Sequence, residues 1–107
     1  MLKVVVIMNT AMEEIFSKKC CAYHDMNLEI QVRNEGSSPV KVPSYCDFEG
    51  RGEIERIEYL MPHGVHLLQP GEAMSFYCSF DEHRWESVRK VVFYDNDGNP
   101  YGVEIQS

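Results

Sequence analysis

From residue 26 to residue 33 apolar and polar side chains alternate without a break, with Met26, Leu28, Ile30 and Val32 on one parity and Asn27, Glu29, Gln31 and Arg33 on the other. A period of two predicts a strand with one buried face. The same period returns in AMSFYCSF, where Met74, Phe76, Cys78 and Phe80 share a face, and in VKVPSYCDF, where Val40, Val42, Cys46 and Phe48 do. The Met74 to Phe80 face is expected to meet the one built by Leu28, Ile30 and Val32. Pro43 has no N–H to give a ladder, so it predicts a sheet edge or a bulge in its strand.

Other segments carry weaker patterns. LKVVVIMN, residues 2–9, is β-branched and almost continuously apolar, which predicts a strand covered on both faces. Thr10 and Glu13 form a capping-box pair, and Ala11, Met12, Ile15 and Phe16 recur at helical spacing. A short helix over residues 11–19 is the favoured reading, against a second short strand at 13–17. EIERIEYL, residues 53–60, reads as an acidic strand exposed on one face, and residues 64–68 as a short strand before a Pro-Gly turn.

Near the end of the chain, SVRKVVFYDNDGNPYGVEIQ reads as two strands around a turn whose Asn and Asp-Gly supply the positive φ that a tight hairpin needs. Seven or eight short strands joined by Gly, Pro, Asn and Asp turns predict an all-β fold. The architecture expected is an antiparallel immunoglobulin-like β-sandwich, one domain over residues 1–107.

Three stretches carry a resemblance to bacterial immunoglobulin-like or fibronectin-like domains: LEIQVRNEGSSPVKV, with an Asn-x-Gly turn between strands, LLQPGEAMSF, with Pro-Gly-Glu before a core strand, and the hairpin VVFYDNDGNPYGVEI. The resemblance spans residues 26–106. It departs from antibody domains, because Trp85 follows Cys78 with no cysteine beyond it, so no inter-sheet disulfide is implied. Domains of this kind mainly bind proteins or act as spacers, so the resemblance implies an interaction role.

Composition narrows the function classes. Ten Lys plus Arg against seventeen Asp plus Glu give a formal net charge of −7, and the basic residues are scattered among acidic neighbours. Such a surface repels a phosphate backbone, so neither nucleic acid nor an anionic membrane is an expected partner. The apolar run Val4 to Met8 is shorter than a signal peptide's apolar core, and no run approaches the roughly 18 apolar residues of a membrane span. A cytoplasmic location with reduced thiols is the expectation.

The most site-like string is KKCCAYHD, residues 18–25. Adjacent Cys20 and Cys21 lack the spacing of two to four residues that lets two thiolates reach one tetrahedral metal, and no second ligand pair accompanies His24. A metal or thiol-reactive centre on Cys20, Cys21 and His24 is therefore the alternative reading, with Lys18 and Lys19 able to lower a nearby thiol pKa. Cys46 and Cys78 lie on the apolar parity of their strands, where a reduced cysteine behaves as a small hydrophobe.

His63 and His66 fall on opposite faces of an extended chain, which defeats a cupin-like metal set. In DNDGN, Asp95 to Asn99, the Gly comes two residues early for a calcium loop and Gln106 replaces the closing Glu, so a turn is expected. Trp85 with Arg84 and His83 reads either as a plug for the end of the sandwich or as a recognition hot spot. The leading expectation is a non-catalytic module without cofactor. It would bind another protein or a second copy of itself through a strand edge or end loops, with the Pro43 strand and the 53–60 strand as candidate edges. Such a module should show an exposed apolar patch and no strongly perturbed titratable cluster.

Overall fold

The computed structural model describes residues 2–9 and 25–105, and within them the side chains of residues 2–6 and 27–105. The helix expected at 11–19 lies outside these residues, as do Cys20, Cys21 and His24. The regular structure of the described residues is almost all antiparallel strand: β1 (Leu2–Asn9), β2 (Asp25–Asn34), β3 (Val40–Pro43), β4 (Cys46–Glu49), β5 (Ile54–Ile57), β6 (Val65–Leu68), β7 (Ala73–Asp81), α1 (Glu82–Trp85), β8 (Lys90–Tyr94) and β9 (Pro100–Glu104). The fold is all-β, as the alternation predicts.

The strands form a three-stranded sheet in the order β1-β2-β7, a four-stranded sheet in the order β5-β4-β8-β9, and the small pair β3-β6. Period-two patterning decides which side chains meet between the larger sheets. Leu28, Ile30, Val32, Phe76 and Phe80 project from the first, and Cys46, Phe48, Ile57, Val91 and Phe93 from the second, all buried in one core. Phe76 meets Phe93 at 5.3 Å between ring centroids, and Phe48 meets Phe80 edge-on at 4.9 Å. Offset and edge contacts of this kind add to the burial of the rings themselves.

Two expectations need correction. The Met74 to Phe80 face does not oppose the Leu28 to Val32 face, because β2 and β7 are ladder neighbours, with Leu28 beside Cys78 and Ile30 beside Phe76. Both belong to one inner surface. Nor is β1 covered on both faces: among the described residues it is the outer strand of its sheet, with Leu2 and Val4 buried but Lys3 and Val5 exposed. An apolar run lacks the polar side chains that would reveal an outer face, so sequence cannot distinguish the two cases.

The segment expected as one strand over VKVPSYCDF divides at Ser44 and Tyr45. Val42 pairs opposite His66 in the small sheet, and Cys46 opposite Phe93 in the large one. Ser44 secures the change of direction: its N–H donates to Gly64 O at 2.9 Å, and its Oγ accepts the Gly64 N–H at 2.9 Å. At the opposite end of the small sheet, fully buried Asn34 donates through Nδ2 to Ser38 O at 2.8 Å and Leu68 O at 3.0 Å. Its Oδ1 accepts the Gly36 N–H at 2.9 Å. That Asn-x-Gly turn thus ties β2 to β6.

Helix α1 was not legible in the sequence pattern. Asp81 caps it, accepting the N–H groups of His83 and Arg84 at 2.8 and 3.1 Å. An aspartate ahead of EHRW is an ordinary N-cap signal, but with one turn of helix no apolar period follows to expose it.

Candidate functional site

The segment leaving β5 runs along β7. Met61 and Tyr77 exchange two backbone hydrogen bonds, Met61 N to Tyr77 O at 3.0 Å and Tyr77 N to Met61 O at 2.8 Å. Leu60 is wholly buried and pins the segment from below. Extended geometry then turns its neighbours outward: Tyr59 and Met61 are 51% and 60% exposed, and Tyr77 beside them is 52% exposed.

These three side chains line a depression of about 620 Å³ completed by Asn27, Leu28, Cys78 and Ser79. Apolar walls with a few hydrogen-bonding groups at the margin suit the anchoring side chain of a protein partner. Ser79 Oγ already donates to Asn27 Oδ1 at 3.1 Å, leaving the Asn27 amide nitrogen as a donor of the rim. Cys78 is half-buried here, and burial pushes its thiol up to about 11. Cys46, wholly buried, is raised further, again chiefly by burial. Neither is an activated nucleophile, since the reactive species is the thiolate.

At one end of the two sheets lie the residues singled out around the tryptophan. Trp85 is buried against Phe48, with ring centroids 5.3 Å apart, and against Phe80 at 6.3 Å. Arg84 lies 4.8 Å over the Phe80 ring and pairs with Glu55. His83 is exposed on α1. A shallow cavity of about 280 Å³ between Gly50, Arg51, Glu53, Glu55, Arg84 and Ser87 mixes both charge signs. The tryptophan is therefore a packing element, and its two basic-side neighbours form the local surface.

The outer face of the four-stranded sheet carries a polar network that the sequence pattern did not reveal. Arg56 Nε donates to Asp47 Oδ1 at 2.9 Å and its Nη2 to Oδ2 at 3.2 Å, while the Tyr94 hydroxyl donates to Oδ2 at 2.6 Å. The guanidinium lies over the rings of Tyr45 and Tyr94, 4.6 and 5.5 Å from their centroids. The Arg56 hydrogen bond holds the Asp47 carboxyl below its ordinary range, and Asp47 in turn raises both Arg56 and Tyr94. This is a perturbed cluster where none was expected. The directions lock each charge in place, so no proton is poised for transfer near neutrality.

Asp95 explains why DNDGN is a turn. Its Oδ1 accepts the N–H groups of Asp97 and Asn99, each at 2.9 Å, and its Oδ2 accepts Asn99 Nδ2 at 2.9 Å and the Tyr101 hydroxyl at 3.1 Å. Burial opposes ionisation of Asp95, but these donors outweigh it and hold its carboxyl low. Gly98, at φ 86°, supplies the left-handed residue. The two histidines of the 61–68 segment also separate: His66 packs edge-on against Phe76 at 5.7 Å, and His63 Nδ1 lies 3.4 Å from Ser44 Oγ. No group of three or more His, Cys, Asp or Glu suited to a metal occurs among the described residues.

The sequence does encode the patch, in YLMP and in Tyr77. The strand expected over residues 53–60 ends at Ile57, where the chain leaves β5 and turns Leu60 inward. Only the crossing onto β7 brings Tyr59, Met61 and Tyr77 together.

No family model matches the chain, and no curated protein matches it. Among solved structures, the crystal structure of a Bordetella pertussis protein provisionally named ApaA is similar over 99% of this chain and 87% of that one, with 16% identity and a TM-score of 0.51. At that identity the likeness is one of fold.

Proposed function

We propose that this protein is a non-catalytic, immunoglobulin-like module that binds another protein through the Tyr59, Met61 and Tyr77 patch. The observation that carries this reading is the exposure of three large apolar side chains, each more than half open, around one depression. Solitary exposed apolar residues need no explanation, whereas a cluster with a cavity and a polar margin is the usual form of a recognition surface. The partner should present an aliphatic or aromatic anchor to fill the depression, with a hydrogen-bond acceptor for Asn27.

A cytoplasmic setting fits this reading, with Cys46 and Cys78 reduced. Among the described residues no helix is long and apolar enough to cross a membrane. The test is quantitative affinity capture from the native cell with wild type, a Met61→Ala/Tyr77→Ala double variant, and an Arg84→Ala/His83→Ala double variant. A protein retained by wild type and by the α1 variant but lost from the patch variant is the expected result. Equal retention by all three would overturn the assignment to the patch.

A further inference from the structure

The polar residues around the Tyr59, Met61 and Tyr77 depression are ordered by the β2-β7 ladder, which sets Tyr77 opposite Glu29 and Ser79 opposite Asn27. Leu28, Ile30, Phe76 and Phe80 fill the core, so alternation puts the odd-numbered residues of both strands on the outer face. Asn27, Tyr77 and Ser79 line the depression. Glu29 therefore borders it beside Tyr77, and Asp81 borders it two residues beyond Ser79. Four residues of β7 separate the Glu29 rung from Asp81, about 13 Å along the strand. The Asn27–Ser79 rung lies between them.

Local hydrogen bonds fix both carboxylates and leave each an oxygen for a ligand. Ser75 Oγ donates to Glu29 Oε2 at 2.7 Å, and Asp81 Oδ1 accepts the N–H groups of His83 and Arg84. Glu29 Oε1 and Asp81 Oδ2 remain as acceptors. Asp81 is exposed and Glu29 half-buried. β2 and β7 carry one basic residue between them, Arg33, which lies at the other end of the ladder with its guanidinium on Gly71 O at 3.1 Å. Arg84, next to the cap on α1, is committed to Glu55.

We infer that the partner presents an extended basic segment to this patch, of the pattern basic-x-apolar-x-basic; the inference rests on the patch being the binding surface. Charge complementarity selects the sign. A chain of net charge −7 attracts a cationic segment over long range, and Glu29 and Asp81 set two of its carboxylates at the margin of the depression. Spacing selects the pattern. In an extended segment every second side chain shares a face, so the two basic residues stand about 13 Å apart with the apolar one between them. That matches the separation of Glu29 and Asp81 along the ladder. The central side chain then enters the depression, and a backbone C=O of the segment accepts the Asn27 amide. The Tyr77 ring beside Glu29 adds attraction for the cation there.

The test titrates the full chain with end-capped peptides, followed by amide chemical shifts. The probes are Lys-Ser-Phe-Ser-Lys, Ser-Ser-Phe-Ser-Ser, Glu-Ser-Phe-Ser-Glu and the mis-spaced Ser-Lys-Phe-Lys-Ser. The first should bind about three- to tenfold tighter than the serine peptide, tighter also than the mis-spaced one, and most of that advantage should vanish at about 0.5 M salt. Glu29→Gln/Asp81→Asn should abolish the advantage while keeping the fold, since Gln still accepts from Ser75 and Asn still caps α1. Glu35→Gln/Glu104→Gln, an equal loss of charge at exposed sites away from the patch, should preserve it. Equal binding of the lysine and serine peptides, both lost in Met61→Ala/Tyr77→Ala, would overturn the basic partner and leave the patch standing. Lysine-peptide binding that survives Met61→Ala/Tyr77→Ala, or falls alike in both charge variants, would show unspecific attraction to an acidic chain and overturn the inference. So would equal binding of the mis-spaced peptide, or binding of none of the four. The patch itself stands or falls on the capture experiment above.

Discussion

Asp47 and Arg56 face each other across the β4-β5 ladder, and the guanidinium holds both carboxylate oxygens, at 2.9 and 3.2 Å. Asp47 is buried on the outer face of the sheet and accepts the Tyr94 hydroxyl, while Arg56 is half-exposed. The pair organises a sheet face that would otherwise carry an isolated buried charge.

The pH dependence follows from the Asp47 shift. Its folded pKa lies below the unfolded value because Arg56 and Tyr94 donate to the ionised form. The stabilisation is therefore present above the unfolded pKa, near 3.8, and is lost as pH falls through the lower folded value. Urea unfolding of wild type between pH 6 and roughly pH 2.5 should show stability falling with acid, with part of the slope removed in Asp47→Asn. At neutral pH Asp47→Ala should cost about 1–3 kcal/mol, the low end applying because Arg56 is open to solvent.

Asn34 should be more sensitive than its polar character suggests. Asn34→Ala leaves Leu68 O without the Asn34 donor and removes the acceptor of Gly36 N–H, in a fully buried position. A loss of about 2–3 kcal/mol is expected, read as a lower urea midpoint. Asn34→Asp, which keeps the acceptor and loses the donor, should be no better.

The contact between Phe76 and Phe93 joins the two sheets at the centre of the core. Phe76→Ala or Phe93→Ala should cost about 3–5 kcal/mol, and the double variant less than the sum of the two, since each deletion already removes the shared contact. Chemical denaturation of the four proteins measures that coupling.

Thiol chemistry supplies a test of packing. With a thiol pKa near 11, Cys78 at pH 8 is thiolate in only about one molecule in a thousand, and burial raises Cys46 beyond that. Cys78→Ser and Cys46→Ser should each leave the rapid native labelling by a disulfide reagent unchanged, while in urea each should remove one reactive thiol. Rapid native loss of one thiol in either variant would contradict the burial.

On the proposed binding face, Met61→Ala and Tyr77→Ala should change stability little, because their backbone hydrogen bonds remain and their side chains are exposed. Thermal unfolding within a degree or two of wild type, together with a tenfold or greater loss of partner affinity, is the expected combination.

By itself the sequence determined the all-β class, the inner faces of β2, β4 and β7, and the terminal hairpin, because strict alternation and Asp-Gly turn chemistry are local and admit one reading. It did not determine which inner faces oppose and which lie side by side. Leu28 and Cys78 share one sheet through ladder hydrogen bonds that every residue offers alike. The Tyr59, Met61 and Tyr77 patch and the Asp47 and Arg56 pair likewise required β5, the segment after it and β7 to be placed in space, since their members are distant in the chain or hidden within an acidic strand. Whether the apolar run of β1 is covered on one face or on both was decided by neighbours alone. Backbone pairing is blind to side-chain identity, so tertiary structure settles what a continuous apolar run leaves ambiguous.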